Sequence, residues 1–291
     1  MRPSRGRRQS GFALLLALLV LLVTGTLLTI AARRSCHEAM LASQAQRDLE
    51  ITWGARSVSA LCLNDAGRML AQGRMEDTHT SACVHRTFIL GPTTFEALVS
   101  DEQAKANVNR LAAKTGGDLG SRLRALQSDL SSPLPARAAA GRTVAGPGRT
   151  RVQHSSLEDV LEVAHPSQLV DLDNPPGGVG RLTCWGDGKV NFKRADDVVL
   201  KEMLDGVLTQ TQVEEALAYR RQAPDCTLGE LLTHLQLTLD RRAQAASALT
   251  DTSSCHSVWV VAQGTTRKWY FLYVSKEAPA PAKPERWSYA W

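Results

Sequence analysis

An uninterrupted apolar segment near the amino terminus constrains this chain more than any other feature. From Phe12 to Ala32 the sequence carries no charged residue. About 20 such residues in a helix, rising about 1.5 Å each, are enough to cross a bilayer. Arg33 and Arg34 follow Ala32 directly. A secretory signal peptide has a cleavage site of small residues after its apolar core, and no such site follows Ala32. We therefore expect residues 12–32 to stay on the protein as a membrane-spanning helix.

The positive charge of the chain is concentrated ahead of this segment. The sequence has 34 Lys and Arg against 29 Asp and Glu, a net charge of +5, and four of those charges are the arginines of the leader, Arg2, Arg5, Arg7 and Arg8. The high isoelectric point therefore reflects the charges that orient the chain in a membrane, and it does not indicate a nucleic-acid partner. The positive-inside rule predicts a single-pass protein with a cytoplasmic amino terminus and its body outside. In a Gram-negative bacterium the protein would span the inner membrane and the body would be periplasmic.

Periodicity and composition predict an α+β fold built from consecutive parts. A long amino-terminal helix is expected to pack on a small antiparallel sheet, and an α-helical domain is expected to be inserted into that sheet. A break near Gly54 would instead divide the long helix in two. The predicted parts are a basic leader (1–11), the long helix (12–69), the sheet (70–109 and 252–276), the inserted domain (110–251) with a flexible loop (131–151), and a disordered tail (277–291).

Two short helices in the inserted domain are joined by a glycine turn, which is the pattern of a helix-hairpin-helix unit. The first begins after Asp196 and stops at Asp205-Gly206, and the second runs from Gln212 to Arg221. Such units often bind DNA phosphates through the backbone amides of the turn. Acidic side chains surround this turn and would repel phosphate, so we favour a role in protein packing.

The junction Gly11-Phe12 resembles the cleavage site of prepilins. The resemblance implies that a dedicated prepilin peptidase cuts between Gly11 and Phe12, and that Phe12 is then N-methylated. Leu16 is the fifth residue of that mature chain, where ordinary pilins carry a glutamate. A buried carboxylate without a partner costs several kcal/mol, so leucine suits a subunit with no predecessor in the fibre. An uncleaved signal anchor is the alternative interpretation.

Two internal motifs narrow this resemblance. The segment from Asp101 to Asn109 (DEQAKANVN) is similar to an acidic, Lys-containing, Asn-x-Asn segment of the minor pseudopilin K family of type II secretion systems. Residues 188–192 (GKVNF) resemble that family's second Asn-containing motif, which leads into a helix-hairpin-helix. Phe192-Lys193-Arg194 departs from the family pattern at the end of the second motif.

The resemblance implies a function in protein export across the outer membrane. The protein would cap the tip of the pseudopilus and help to initiate it. Its implied partners are the minor pseudopilins I and J, the major pseudopilin, the prepilin peptidase and the inner-membrane secretion platform. Two alternatives remain open: a minor pilin of a type IV pilus, and an anchored helix-hairpin-helix protein that binds DNA for uptake.

The family is known for calcium in its inserted domain. In this sequence Asp171, Asp173 and Asn174 offer oxygen ligands at close spacing, as a hard cation needs. Pro175-Pro176-Gly177 follow them, which makes an acidic turn the favoured interpretation. We therefore expect no cofactor.

No motif of a known catalytic site is present, so we expect no enzymatic activity. The sequence lacks G-x-S-x-G, H-E-x-x-H and P-loop patterns. The cysteines are scattered without a C-x-x-C pair, which argues against a zinc site. An oxidising compartment would allow some of them to pair, but their spacing does not define the connectivity of Cys36, Cys62, Cys83, Cys184, Cys226 and Cys255.

Overall fold

The structure is a computed structural model that describes residues 7–76, 82–115, 118–128, 133–137, 142–146, 149–170, 172, 178–264, 267–277 and 285–290. The chain divides into two compact units, residues 1–53 and residues 54–291.

The first unit is a single helix, the beginning of α1 (Arg7–Asn64). Every side chain from residue 12 to residue 50 is exposed. Among the described residues, one helix is long and apolar enough to cross a membrane, and it covers Phe12–Asn64. The hydroxyl of Thr29 donates to the carbonyl of Gly25 at 2.8 Å, so this polar group in the apolar stretch is satisfied within the helix.

α1 continues without interruption through Gly54 and ends at Asn64, so the alternative of a break near Gly54 is wrong. Asp65 forms the turn that the sequence places there, and α2 follows. Among the residues described, the remaining helices are α2 (Ala66–Glu76), α3 (Val108–Thr115), α4 (Leu119–Leu126), α5 (Asp197–Leu204), α6 (Gln210–Gln222), α7 (Leu228–His234) and α8 (Leu239–Ala248).

The strands form one central sheet and three small two-stranded pairs. In chain order the strands are β1 (Cys83–Leu90), β2 (Thr93–Asp101), β3 (Ala106–Asn107), β4 (Arg142–Gly146), β5 (Arg149–Gln153), β6 (Leu182–Thr183), β7 (Val190–Asn191), β8 (Leu249–Thr250), β9 (Cys255–Gln263), β10 (Lys268–Lys276) and β11 (Glu285–Ala290). The central sheet is antiparallel throughout, with the order β1-β2-β9-β10-β11.

Both faces of the central sheet are covered, which explains why β9 is buried at every position except Gln263. Side chains of successive strand residues point to opposite faces. Leu98, Trp259 and Leu272 join the core of the inserted helices. Phe95 points to the other face, where an added Cβ on Gly54 would lie 2.3 Å from its ring. The carboxyl-terminal part of α1 therefore packs on the sheet, as the predicted α+β fold requires.

The inserted part has its own core of leucines, valines and alanines. Leu111, Leu123 and Leu126 on α3 and α4 are at most 1% exposed, as is Met203 on α5. Two parallel strand pairs, β3 with β6 and β7 with β8, connect this core to the sheet. Thr209 and Thr227 open α6 and α7 with capping boxes. The sequence indicates the second of them, because Glu230 follows Thr227 by three residues.

Three local predictions are wrong. The flexible loop predicted over 131–151 includes β4 and the first part of β5, which pair antiparallel. The tail predicted to be disordered over 277–291 contains β11, because aromatic and extended residues there pair with the free edge of β10. The segment Ser155-Ser156-Leu157-Glu158 resembles a capping box and predicts a helix over 157–163, but the structure has a single 3₁₀ turn there, Leu157–Asp159.

Candidate functional site

The two Asn-containing motifs meet in space, although about 80 residues separate them in the sequence. Asn191 Nδ2 lies 3.2 Å from Asp101 Oδ2 and 2.7 Å from Ser253 Oγ, and the Ser253 hydroxyl also bonds to Asp101. Gln103 Nε2 donates to Asp187 Oδ1 at 2.8 Å. The motifs therefore form the two sides of one buried polar network.

Glu102 is, beside Asp101, a second fully enclosed carboxylate of this network. It is 1% exposed, and Lys105, its ionic partner, is 6% exposed. Its carboxylate accepts hydrogen bonds at 2.5 Å from Lys105 Nζ, Thr183 Oγ1 and Ser257 Oγ. A buried carboxylate is tolerated only when it is paired and hydrogen-bonded, so these donors account for its presence in the core.

The two asparagines of the first motif attach the inserted helices to the loop before Gly186. Asn107 Nδ2 donates to the carbonyl of Trp185 at 2.8 Å, and its Oδ1 accepts the Arg110 amide at the start of α3. The sequence predicts Asn109 as that cap, and this is wrong. Asn109 instead exchanges hydrogen bonds with the backbone of His154 and also donates to the Cys184 carbonyl.

Sequence reasoning missed the serines and the histidine that complete the network. Ser253, Ser257 and His256 lie on and just before β9, and no motif marks them. Burial lowers the pKa of His256, although the nearby Asp101 carboxylate opposes this effect. The centre of the network is closed to solvent. Its hydrogen bonds connect the sheet to the inserted helices in a fixed arrangement.

The two helices of the predicted helix-hairpin-helix unit are present as α5 and α6, and the turn between them contains Gly206 at φ +73°; the unit itself remains a prediction. Two cationic side chains of the same protein, those of Lys114 and Arg122, contact this turn. Lys114 Nζ donates to the carbonyls of Met203 and Asp205 at 2.8 and 2.7 Å. Arg122 pairs with Glu202 at 3.0 Å and with Asp205 at 2.6 Å. Side chains of α3 and α4 therefore contact the turn from one side, and the packing role stays a prediction.

The predicted processing residues lie in the first turns of α1. Gly11 is its fifth residue, and Phe12 and Leu16 are 72% and 54% exposed. Cleavage, methylation and the role of Leu16 remain predictions. The calcium candidates Asp171, Asp173 and Asn174 lie outside the described residues. In the part of the chain that is described, no group of three or more His, Cys, Asp or Glu residues is placed to hold a metal ion.

All six cysteines are among the described residues, and each is a free thiol. Cys36 is exposed and the other five are buried. Burial raises the pKa of Cys62 to about 11, and it raises the pKa of Cys184 and Cys255 as well. Buried thiols of this kind are poor nucleophiles and act as small apolar side chains.

Comparison with known proteins gave likenesses among solved structures alone. No family model and no curated protein matches the chain. Among solved structures, it is similar to a chain in the crystal structure of the GspK-GspI-GspJ complex from the type 2 secretion system of enterotoxigenic Escherichia coli. The identity is 14%, the TM-score is 0.45, and the match covers 84% of this chain and 98% of that chain. A likeness of this degree does not by itself assign a function.

Proposed function

We propose that this protein is a minor pseudopilin of a type II secretion system, and that it caps the tip of the pseudopilus and helps to initiate it. One observation carries the proposal: a basic leader ending in Gly11-Phe12 runs directly into an exposed apolar helix, and the same helix continues to Asn64. A helix of this kind serves both as a membrane anchor before assembly and as a packing element within a fibre.

The body of the protein supports a structural role rather than catalysis. The two motifs that resemble the family segments, around Asp101 and Asn191, form the buried joint between the sheet and the inserted helices. That joint gives the helical part a fixed position on the sheet, which a subunit needs if it is to block further addition at one end. The protein would be anchored in the inner membrane with its body in the periplasm.

Leu16 supports the tip position. In a fibre, a glutamate at the fifth mature residue would neutralise the amino terminus of a neighbouring subunit. Leucine cannot neutralise the amino terminus of a neighbour. A subunit at the end of the fibre has no such neighbour to neutralise. The companions would be the minor pseudopilins I and J, joined by contacts between apolar helices and between bodies.

Amino-terminal sequencing of the protein recovered from membranes tests the processing step. We expect the mature chain to begin at Phe12 and to carry a methylated amine. A start at Met1, or a start beyond Ala32, would contradict the proposal, because neither product is a processed pilin-type helix.

Co-purification of the full-length protein with the other minor pseudopilins tests the assembly step. We expect Leu16→Glu to weaken the complex, because it inserts a carboxylate without a partner into an apolar helix bundle. Leu16→Met is the matched control, since it keeps an apolar side chain of similar volume. Equal recovery with both variants, or salt-sensitive retention of DNA by the wild-type protein, would favour another function.

A further inference from the structure

One outer edge of the central sheet is a long and regular strand. β1 has eight residues and is the terminal strand of the sheet, so within the described residues only β2 pairs with it. Its register with β2 runs from Cys83 to Leu90 without a bulge. Edge strands are commonly protected by proline, lysine, bulges or short length, because their unpaired backbone groups attract other chains. β1 has none of these four features.

The hydrogen-bonding pattern shows which backbone groups of β1 face outward. The amide of Asp101 donates to the carbonyl of Ala82, immediately before β1, at 2.8 Å. In an antiparallel pair, opposite residues alternate between those that exchange both hydrogen bonds and those that exchange none. Counting from Ala82, the backbone groups of residues 84, 86, 88 and 90 face β2, and those of His85, Thr87 and Ile89 face away from it.

A side-chain bond agrees with this assignment. The carbonyl of His85 accepts a hydrogen bond at 3.2 Å from Nη1 of Arg86, a side chain that reaches it from outside the ladder. The outward N–H and C=O groups therefore recur at every second residue, about 7 Å apart. A row of donors and acceptors with this repeat is complementary to the backbone of another extended chain. A lipid or a small molecule would satisfy one or two of these groups but would not match the repeat.

The side chains along this edge indicate the chemistry of the occupant. Ile89 is 75% exposed and Leu90 is 43% exposed, and such side chains pack against those of a neighbouring strand. Arg86 is the one arginine of β1. Its guanidinium bonds to the His85 carbonyl and, within the described part of the chain, to no carboxylate. A carboxylate on the strand opposite Arg86 would supply that pair.

From this geometry we infer that β1 binds an extended segment of a partner polypeptide, which adds a sixth antiparallel strand to the five-stranded sheet and carries a carboxylate opposite Arg86. The backbone groups of His85, Thr87 and Ile89 would form the hydrogen bonds of the new pair. The Arg86 guanidinium would move from the His85 carbonyl to the carboxylate of the partner. The inference does not depend on the proposed function.

Residue-resolved amide hydrogen exchange of the full-length protein in detergent micelles tests this inference. In the free protein we expect the amides of Thr87 and Ile89 to exchange faster than those of Arg86 and Phe88, which bond to β2. The probe is the heptapeptide acetyl-TVTETVT-amide, whose valines would lie opposite Val84 and Phe88 and whose glutamate would lie opposite Arg86. We expect the peptide to protect the Thr87 and Ile89 amides saturably in the millimolar range.

Two control peptides separate backbone pairing from charge. Methylation of the third and fifth peptide nitrogens removes the donors that would meet the carbonyls of Thr87 and His85, so this peptide should not protect β1. Lysine in place of the glutamate should weaken binding about 2-fold to 30-fold, because a like-charge pair replaces a favourable cross-strand pair. With the Arg86→Glu variant, the lysine peptide should bind more tightly than the glutamate peptide.

Two substitutions at Thr87 test the strand itself. Thr87→Pro removes an outward N–H group, which an edge strand tolerates, and it should abolish the protection of the Ile89 amide by the peptide. Thr87→Val is the matched control, because it keeps the N–H group and a branched side chain of similar shape. Circular dichroism shows whether each variant is folded. If Thr87→Pro does not fold, the exchange of charge at Arg86 decides the question.

Three outcomes would overturn the inference. The first is equally slow exchange of all β1 amides in the free protein, which would mean that this edge is already covered. The second is that the glutamate peptide causes no saturable protection, or that its methylated form protects β1 equally well. The third is protection of the same amides that rises with protein concentration in the absence of peptide, which would identify a second copy of this chain as the occupant.

Discussion

Asn191 Nδ2 donates a hydrogen bond to Asp101 Oδ2 at 3.2 Å, and both side chains are at most 2% exposed. The two residues lie 90 positions apart, one at the end of β2 and the other on β7. This bond closes the polar network that holds the inserted helices on the central sheet, so the two sequence motifs are one structural unit.

Asn191→Ala is expected to destabilise the protein. The substitution removes a donor from a buried carboxylate, and the loss of such a hydrogen bond costs about 1–3 kcal/mol of unfolding free energy. Thermal unfolding of the full-length protein in detergent, followed by circular dichroism, measures this change. Gln222→Ala, which removes an exposed amide at the end of α6, is the control and should have little effect. Equal stability of the two variants would mean that the Asn191–Asp101 bond contributes nothing net.

Gly54→Ala is expected to disturb the packing of α1 on the sheet. An added Cβ would lie 2.3 Å from the buried Phe95 ring, so helix and strand must separate or the ring must move. Overpacking of this kind costs about 1–3 kcal/mol. Gly67→Ala is the matched control, because nothing lies within 4 Å of its added Cβ. There the better helix propensity of alanine should raise stability by up to about 1 kcal/mol. A stabilised Gly54→Ala variant would contradict the packing.

Stability is expected to fall as the pH falls from about 7.5 to 5. Burial lowers the pKa of His256 below its ordinary value of 6.5, and the positive charge of Arg194 acts in the same direction. The carboxylates of Asp101, Glu277 and Glu102 oppose this shift. The unfolded chain therefore binds a proton more readily in this window, which lowers the unfolding free energy by up to about 1.4 kcal/mol per pH unit and histidine. Burial acts on His154 in the same direction.

The carboxylates whose pKa is lowered, such as Asp65, Asp159 and Asp205, do not interfere with this measurement. Their stabilising contributions are present above their ordinary pKa of 3.8 and are lost only at lower pH. Unfolding measured at pH 7.5 and pH 5 should therefore show a smaller difference in His256→Gln than in the wild type. An equal or larger difference would assign the pH dependence to other groups.

Gly11→Ala is expected to block leader removal and to leave secretion defective, since the proposed peptidase cuts after glycine. The protein recovered from membranes should then keep residues 1–11, which mass spectrometry detects. Gly25→Ala is the control, because it makes the same change within the same helix and its added Cβ meets nothing within 4 Å. Normal cleavage and secretion in Gly11→Ala would count against a pilin-type leader.

The parts of the fold that depend on local signals could be predicted from the sequence. The apolar run after Phe12, the capping box at Thr227 and the aromatic arms of the last hairpin each carry their own periodicity or cap. These patterns were sufficient for the long helix, α7 and the pairing of β9 with β10. They were not sufficient where the local signal was weak. The strand β11 is stabilised by pairing with the edge of β10. The segment after Ser156 makes a single turn because the Asp159 carboxylate folds back on Ser155 and Ser156.

The sequence by itself determined the long apolar helix and the presence of two unusual polar motifs, because these are properties of neighbouring residues. Only the tertiary structure decided that Asp101 meets Asn191 and that Tyr289 meets Trp185. The physical reason is that a hydrogen bond or ring contact between distant residues leaves no periodic trace in the chain. Such contacts form only when the packing of the apolar core brings their strands together.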